Sequence, residues 1–223
     1  MRAYHGTTQN VKRFSSKRFR EGHVGPAVYL TSIVDDAVNN YACVGPDLDN
    51  HIEQFIDDLM SSDWGEHHTR EEAIQIAYKK FIGPGNYLLT CEISPKAKLF
   101  KLGRNYVELW TYNGEDEDAE PEFTQIGKAL DDLYNQFGLD KSEVFCDSEV
   151  RTFDILHDLA HKYEDYDETS LGEVFKQFVL DAGFDGVEYE DAHDFFPFMV
   201  DSGTQHFAIY KPNLVKIVEK EEL

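Results

Sequence analysis

Tyr4-His5-Gly6-Thr7 opens the chain with an imidazole, a residue without a side chain and a hydroxyl in successive positions. Gly25-Pro26-Ala27-Val28-Tyr29-Leu30-Thr31 follows, and Tyr41 comes twelve residues after Tyr29. Imidazole and hydroxyl groups can donate to or accept from a polar ligand. A glycine lets a ligand approach the backbone, and a tyrosine face attracts a cationic ring. The same residues also suit a strand histidine beside a core and two core aromatics. Between the motifs the charge is unusual. Residues 1–24 hold six bases (Arg2, Lys12, Arg13, Lys17, Arg18, Arg20) against one acid, Glu21, a local +5 in a chain of −22. A basic loop in an acidic protein suggests an anion handled nearby, or a solvated loop balancing neighbouring acids. His157 and His161 stand four apart, a spacing that can bind zinc on a helix, but no third ligand accompanies them and no metal is expected. His67-His68 is expected to be solvated.

The chain that must position these residues has 223 of them, 41% hydrophobic and 13% aromatic, enough for a folded core. With 43 acids against 21 bases its surface repels phosphate backbones and anionic lipid, which argues against a non-specific nucleic-acid binder. No apolar run approaches the ~18 residues of a membrane span. The first ten residues lack the apolar stretch of a signal peptide. Cys43, Cys91 and Cys146 are odd in number, far apart and form no CxxC, so a disulfide scaffold or zinc ribbon is excluded and a reducing, cytoplasmic setting is expected.

Short β-branched or aromatic runs bounded by Gly, Pro, Asn or Asp predict strands at Arg2–His5, Ala27–Thr31, Tyr87–Ile93, Lys98–Leu102, Gly186–Glu190, His206–Tyr210 and Val215–Val218. Helical spacing predicts Asp35–Ala42, Leu48–Met60, Ala73–Phe81 behind a capping box at Thr69, Phe123–Phe137, Val150–Tyr163 and Ser170–Ala182, the last stopped by Gly183. Residues 115–122 carry six acids in eight positions and read as a solvated loop. The expectation is a single α+β domain, 1–223, with helix-rich insertions near 44–85 and 104–170.

The ordered pieces HGT, GPAVYLT and Tyr41 resemble the ADP-ribosyltransferase superfamily, in its His-Tyr-Glu branch of diphtheria-toxin-like and poly(ADP-ribose)-polymerase-like enzymes. Gly183-Phe184-Asp185-Gly186-Val187 resembles a segment of bacterial and phage members, and HFAIYKP with Val215-Lys216-Ile217 resembles the strand that ends their fold. YLLTCEISPKAKLFKLG is similar to the middle of the family sheet; the likeness covers about 100 residues in pieces. It implies a split antiparallel sheet and NAD as co-substrate. Tyr29 and Tyr41 would sandwich the cationic nicotinamide ring, His5 and Thr7 would bond the ribose, and Gly6 would admit the carboxamide. Arg13 and Arg18 of the basic loop would hold the diphosphate.

The third motif departs from the family. Where the family has glutamate, the alignment offers His206, preceded by Gln205. Gln205 can hold a ribose hydroxyl and His206 can act as a base. A replacement carboxylate is sought at Glu190 or Asp191, with Asp191 favoured because phage members carry acids after a similar segment. The catalytic set implied is then His5, Tyr29, Asp191, Gln205 and His206. The resemblance implies a mono-ADP-ribosyltransferase, a phage or bacterial effector that modifies a protein in the cytoplasm. The acidic surface favours a basic target, such as a nucleic-acid-binding host protein, and no membrane partner. A glycohydrolase with water as acceptor, an inactive binding module on the same fold and an acidic nucleic-acid mimic stand as alternatives.

Overall fold

Tyr87–Ile93, the most apolar of the short runs, becomes the strand with neighbours on both sides; only Glu92 in it is exposed. The structure is a computed structural model and describes residues 1–19, 24–42, 46–61, 68–102, 106–112, 120–138, 141, 145, 148–151, 155, 171–190 and 203–223. The architecture is α+β. The chain divides into two compact units, Met1–Phe14 with Leu30–Ser94 and Val215–Leu223, and Ser15–Tyr29 with Pro95–Leu214.

The first unit is built on β1 (Arg2–Thr7), β2 (Val28–Thr31, in which the unit boundary falls), β3 (Tyr87–Ile93) and β11 (Val215–Glu222), in the order β11-β3-β1-β2. All three pairings are antiparallel, with His5 opposite Leu89, Ala3 opposite Cys91 and Tyr4 opposite Thr31. After β2 comes one helical turn, α1 (Val34–Asp36), which runs into a π-helical stretch, Ala37–Ala42. The segment expected as a plain helix over Asp35–Ala42 is thus wider-wound for most of its length. Two longer helices follow, α2 (Pro46–Ser61) and α3 (Arg70–Phe81). Ile52 and Ile56 of α2 meet Ala73 and Ala77 of α3. The four-residue spacing puts each pair on one face, and the small alanines let the helices approach. α3 starts where its sequence says: the Thr69 hydroxyl accepts from the Glu72 N–H at 3.3 Å, and the Glu72 carboxylate accepts from the Thr69 N–H at 2.9 Å.

The second unit has β4 (Leu99–Lys101), β9 (Gly186–Glu190) and β10 (Gln205–Ile209), with β9 antiparallel to β10 and parallel to β4. Helices α4 (Gln125–Phe137) and α5 (Leu171–Asp181) supply apolar side chains to its core. Leu130, Tyr134, Phe175 and Phe178 are buried there with Phe100, Val187 and Ala208. The segment Gly183–Val187 is the joint between helix and sheet. Gly183 takes φ +86°, which ends α5 in the left-handed region that favours glycine. The Phe184 ring packs 5.3 Å from that of Phe100. The Asp185 carboxylate accepts from the Lys98 N–H at 3.0 Å and pairs with the Lys211 ammonium, tying the approach to β4 to the exit from β10.

The described part of the stretch 104–170 carries four short strands as well as α4. It contributes β5 (Tyr106–Glu108) paired with β8 (Glu149–Arg151), and β6 (Trp110–Tyr112) paired with β7 (Pro121–Phe123). Phe123 therefore lies in a strand rather than opening a helix. The Thr124 hydroxyl accepts from the Gly127 N–H at 3.0 Å and sets the helix start at Gln125. Val150 and Arg151 also lie in a strand, opposite Val107 and Tyr106. Of the helix expected over Val150–Tyr163, all but Val150, Arg151 and Ile155 lie outside the described residues, as do His157, His161 and His67 and most of the acidic block. Among the described residues no helix is long and apolar enough to cross a membrane.

Candidate functional site

In the first unit His5 and Thr7 stand on β1, half-buried. The His5 ring meets Phe14 edge-on, with centroids 5.3 Å apart, which fixes the ring against the segment leaving β1. The Thr7 hydroxyl accepts from the Gln9 N–H at 3.1 Å, a local turn contact. Gly6 has a packing reason of its own. A Cβ there would stand 1.9 Å from the Ala37 carbonyl oxygen and 2.6 Å from the Ala42 nitrogen. The π-helical stretch that carries Tyr41 thus rests directly on the backbone of β1. The backbone of Tyr41 belongs to that stretch, while its side chain lies outside what is described.

Thr8, which the motif reading passed over, is the better anchored of the two threonines. It is buried, its hydroxyl donates to the Phe81 carbonyl at 3.1 Å, and it accepts from the Gly83 N–H at 3.0 Å. The strand alternation that places Thr8 on the same face as Gly6 was a signal for this. Arg13 and Lys12 are exposed, and neither takes part in an ion pair among the described residues. Arg2, by contrast, pairs with Glu219 at 3.7 Å.

In the second unit Arg18 lies in a 3-10 turn, Ser16–Arg18, exposed and likewise outside the ion pairs of the described residues. Tyr29 is half-buried, with its ring against the core cluster and its hydroxyl donating to the Gly25 carbonyl at 2.6 Å. Tyr210 makes a parallel contact, donating to the Val24 carbonyl at 2.6 Å; burial pushes its phenol well above the ordinary value. Gln205 opens β10, exposed and directly opposite Glu190. His206 is 6% exposed and lies parallel to the Tyr189 ring, with centroids 5.3 Å apart and planes at 14°. That placement makes His206 part of the packing. Asp191 lies outside the described residues.

The lone described cysteine, Cys91, is fully buried on β3, and burial pushes its thiol up to about 12. Among the described residues no group of three His, Cys, Asp or Glu could hold a metal ion. No family model matches the chain, and comparisons with curated proteins and with solved structures find no match.

Proposed function

We propose that the chain is an NAD-dependent mono-ADP-ribosyltransferase that transfers ADP-ribose to a protein and releases nicotinamide. One observation carries the reading beyond the order of the motifs. Within the first unit the segment bearing Tyr41 packs on Gly6, between His5 and Thr7. Two motifs 36 residues apart, His5 and Tyr41, are therefore held by neighbouring pieces of backbone. Arg13 and Arg18 are each exposed and outside the ion pairs of the described residues, and either cation suits a phosphate. Tyr29 serves through its ring, since its hydroxyl is engaged by Gly25.

The test is incubation with NAD labelled on the adenine side and bacterial lysates, read as labelled protein and as free nicotinamide. Wild type should label a band, Tyr29→Phe should retain the labelling, and Tyr29→Ala should lose it. Free nicotinamide without a band selects a glycohydrolase. Absence of NAD binding by calorimetry together with absence of nicotinamide release overturns the reading. The binding-module alternative is favoured by one observation, the buried and stacked His206 at the position of the family glutamate. NAD binding without turnover would select it.

A further inference from the structure

Cleavage of the ribose C1′–nitrogen bond sends the bonding pair to the nicotinamide nitrogen and quenches the cationic ring. Positive charge is left on C1′ and the ribose ring oxygen. The acceptor then forms a bond to C1′ with its lone pair, and its proton must go elsewhere. Both stages call for a carboxylate, to face the cation and to take the proton. β10 itself offers none, because its first residues are an amide, Gln205, and a buried imidazole, His206.

We propose that Glu190 on β9 is this carboxylate, acting beside Gln205; the inference rests on the transferase reading above. The antiparallel register places Glu190 opposite Gln205, Tyr189 opposite His206 and Glu188 opposite Phe207. Residues directly opposite in such a pair project to one face of the sheet, with Cβ atoms about 4.5–5.5 Å apart. The parallel stack of Tyr189 on His206 shows the register expressed in side chains one step along, on the other face. Glu190 and Gln205 therefore share a face at the end of β9 and the start of β10. Gln205, which precedes the residue aligned with the third motif, lies on that face, and His206 lies on the other.

The neighbouring acid, Glu188, lies opposite a fully buried phenylalanine and has no amide across from it. Gln205 is exposed and Glu190 half-buried, so a ligand hydroxyl can reach the pair while the carboxylate is partly shielded from bulk solvent. In a chain of 43 acids, what sets Glu190 apart is its address. The carboxylate stands across the strand pair, and the amide stands one residue before the position where a carboxylate would be expected.

The experiment measures nicotinamide release against NAD concentration for wild type, Glu190→Gln, Glu188→Gln and the exchange variant Glu190→Gln/Gln205→Glu, with melting curves for each. Glu190→Gln should lower kcat by about 10²–10³-fold with KM for NAD nearly unchanged. The exchange variant should recover at least about tenfold of that loss, because it returns a carboxylate to the same face. Glu188→Gln should match wild type. Wild-type kcat in Glu190→Gln overturns the proposal. So does an exchange variant that melts like wild type yet recovers nothing, which would mark Glu190 as structural. If wild type releases no nicotinamide, the transferase reading fails first and this inference falls with it.

Discussion

Replacing Gly6 by alanine tests the closest contact in the first unit. The added methyl would stand 1.9 Å from the Ala37 carbonyl oxygen, 2.6 Å from the Ala42 nitrogen and 2.9 Å from the Ala37 carbonyl carbon. All three are backbone atoms, so no side-chain rotation relieves the overlap. Either β1 or the π-helical stretch must move by more than 1 Å, since ordinary carbon–oxygen contact begins near 3.4 Å. β1 is fixed by six register pairs with β3, so the stretch Ala37–Ala42 should yield. Overpacking of this kind costs roughly 1–3 kcal/mol, and an overlap with backbone rather than side-chain atoms belongs at the upper end. For a chain of this length that corresponds to a fall of about 6–12 °C in melting temperature. Thermal denaturation followed by circular dichroism reads it directly. If the stretch also positions Tyr41 for NAD, nicotinamide release should drop at temperatures where the variant is still folded. A melting point within about 1 °C of wild type would refute the packing argument.

Two further predictions concern titration and reactivity. Burial alone would raise the Asp185 carboxyl, but the Lys211 ammonium and the Lys98 N–H outweigh it and hold the group below its ordinary value. A carboxyl depressed in the folded state stabilises at pH above the ordinary carboxylate range, and that contribution is lost as pH falls through the folded value. Wild type should therefore lose stability below about pH 4 more steeply than Asp185→Asn, as urea melts at stepped pH would show; parallel curves would contradict this. Cys91, fully buried with its thiol pushed up to about 12, should resist iodoacetamide at pH 8 in the native protein and react once urea unfolds it. Mass spectrometry of the Cys91 peptide distinguishes the two states, and native alkylation at the unfolded rate would show the first-unit sheet opening readily.

The strands at both ends of the chain were legible because each is an apolar or alternating run with Gly, Pro, Asn or Asp at its border. Tyr87–Ile93 and Gly186–Glu190 fall within the bounds expected, and the Thr69 box sets the start of α3. β5 to β8 were not legible. Each is three residues long, too short to show a period, and each is held by a partner strand rather than by its own pattern, as Trp110 is by Phe123. Phe123 and Val150 fit a helical pattern equally well, and pairing decided between the two. At the candidate site, the order of His5, Tyr29 and Tyr41 could be read directly. The partners could not, because the edge contact of Phe14 on His5 and the opposition of Glu190 to Gln205 exist only once strands and turns are in register. The motif residues also proved to have folding duties: Gly6 receives a helix, and Asp185 ties two strands.

The pairing of β3 with both β1 and β11 sets an order of events on the ribosome. β1 and β3 lie within the first 93 residues and can join early. Among the described residues the other edge of β3 is covered by Val215–Glu222, about 120 residues later. At roughly 5–20 residues per second, that edge stays bare for about 6–24 s of elongation. It presents Leu88, Leu89, Cys91 and Ile93 beside unpaired backbone groups throughout that interval. A nascent chain stalled or truncated before residue 215 should therefore be a substrate for chaperones, and the charged C-terminal strand, VKIVEKEE, is the cap that ends the exposure.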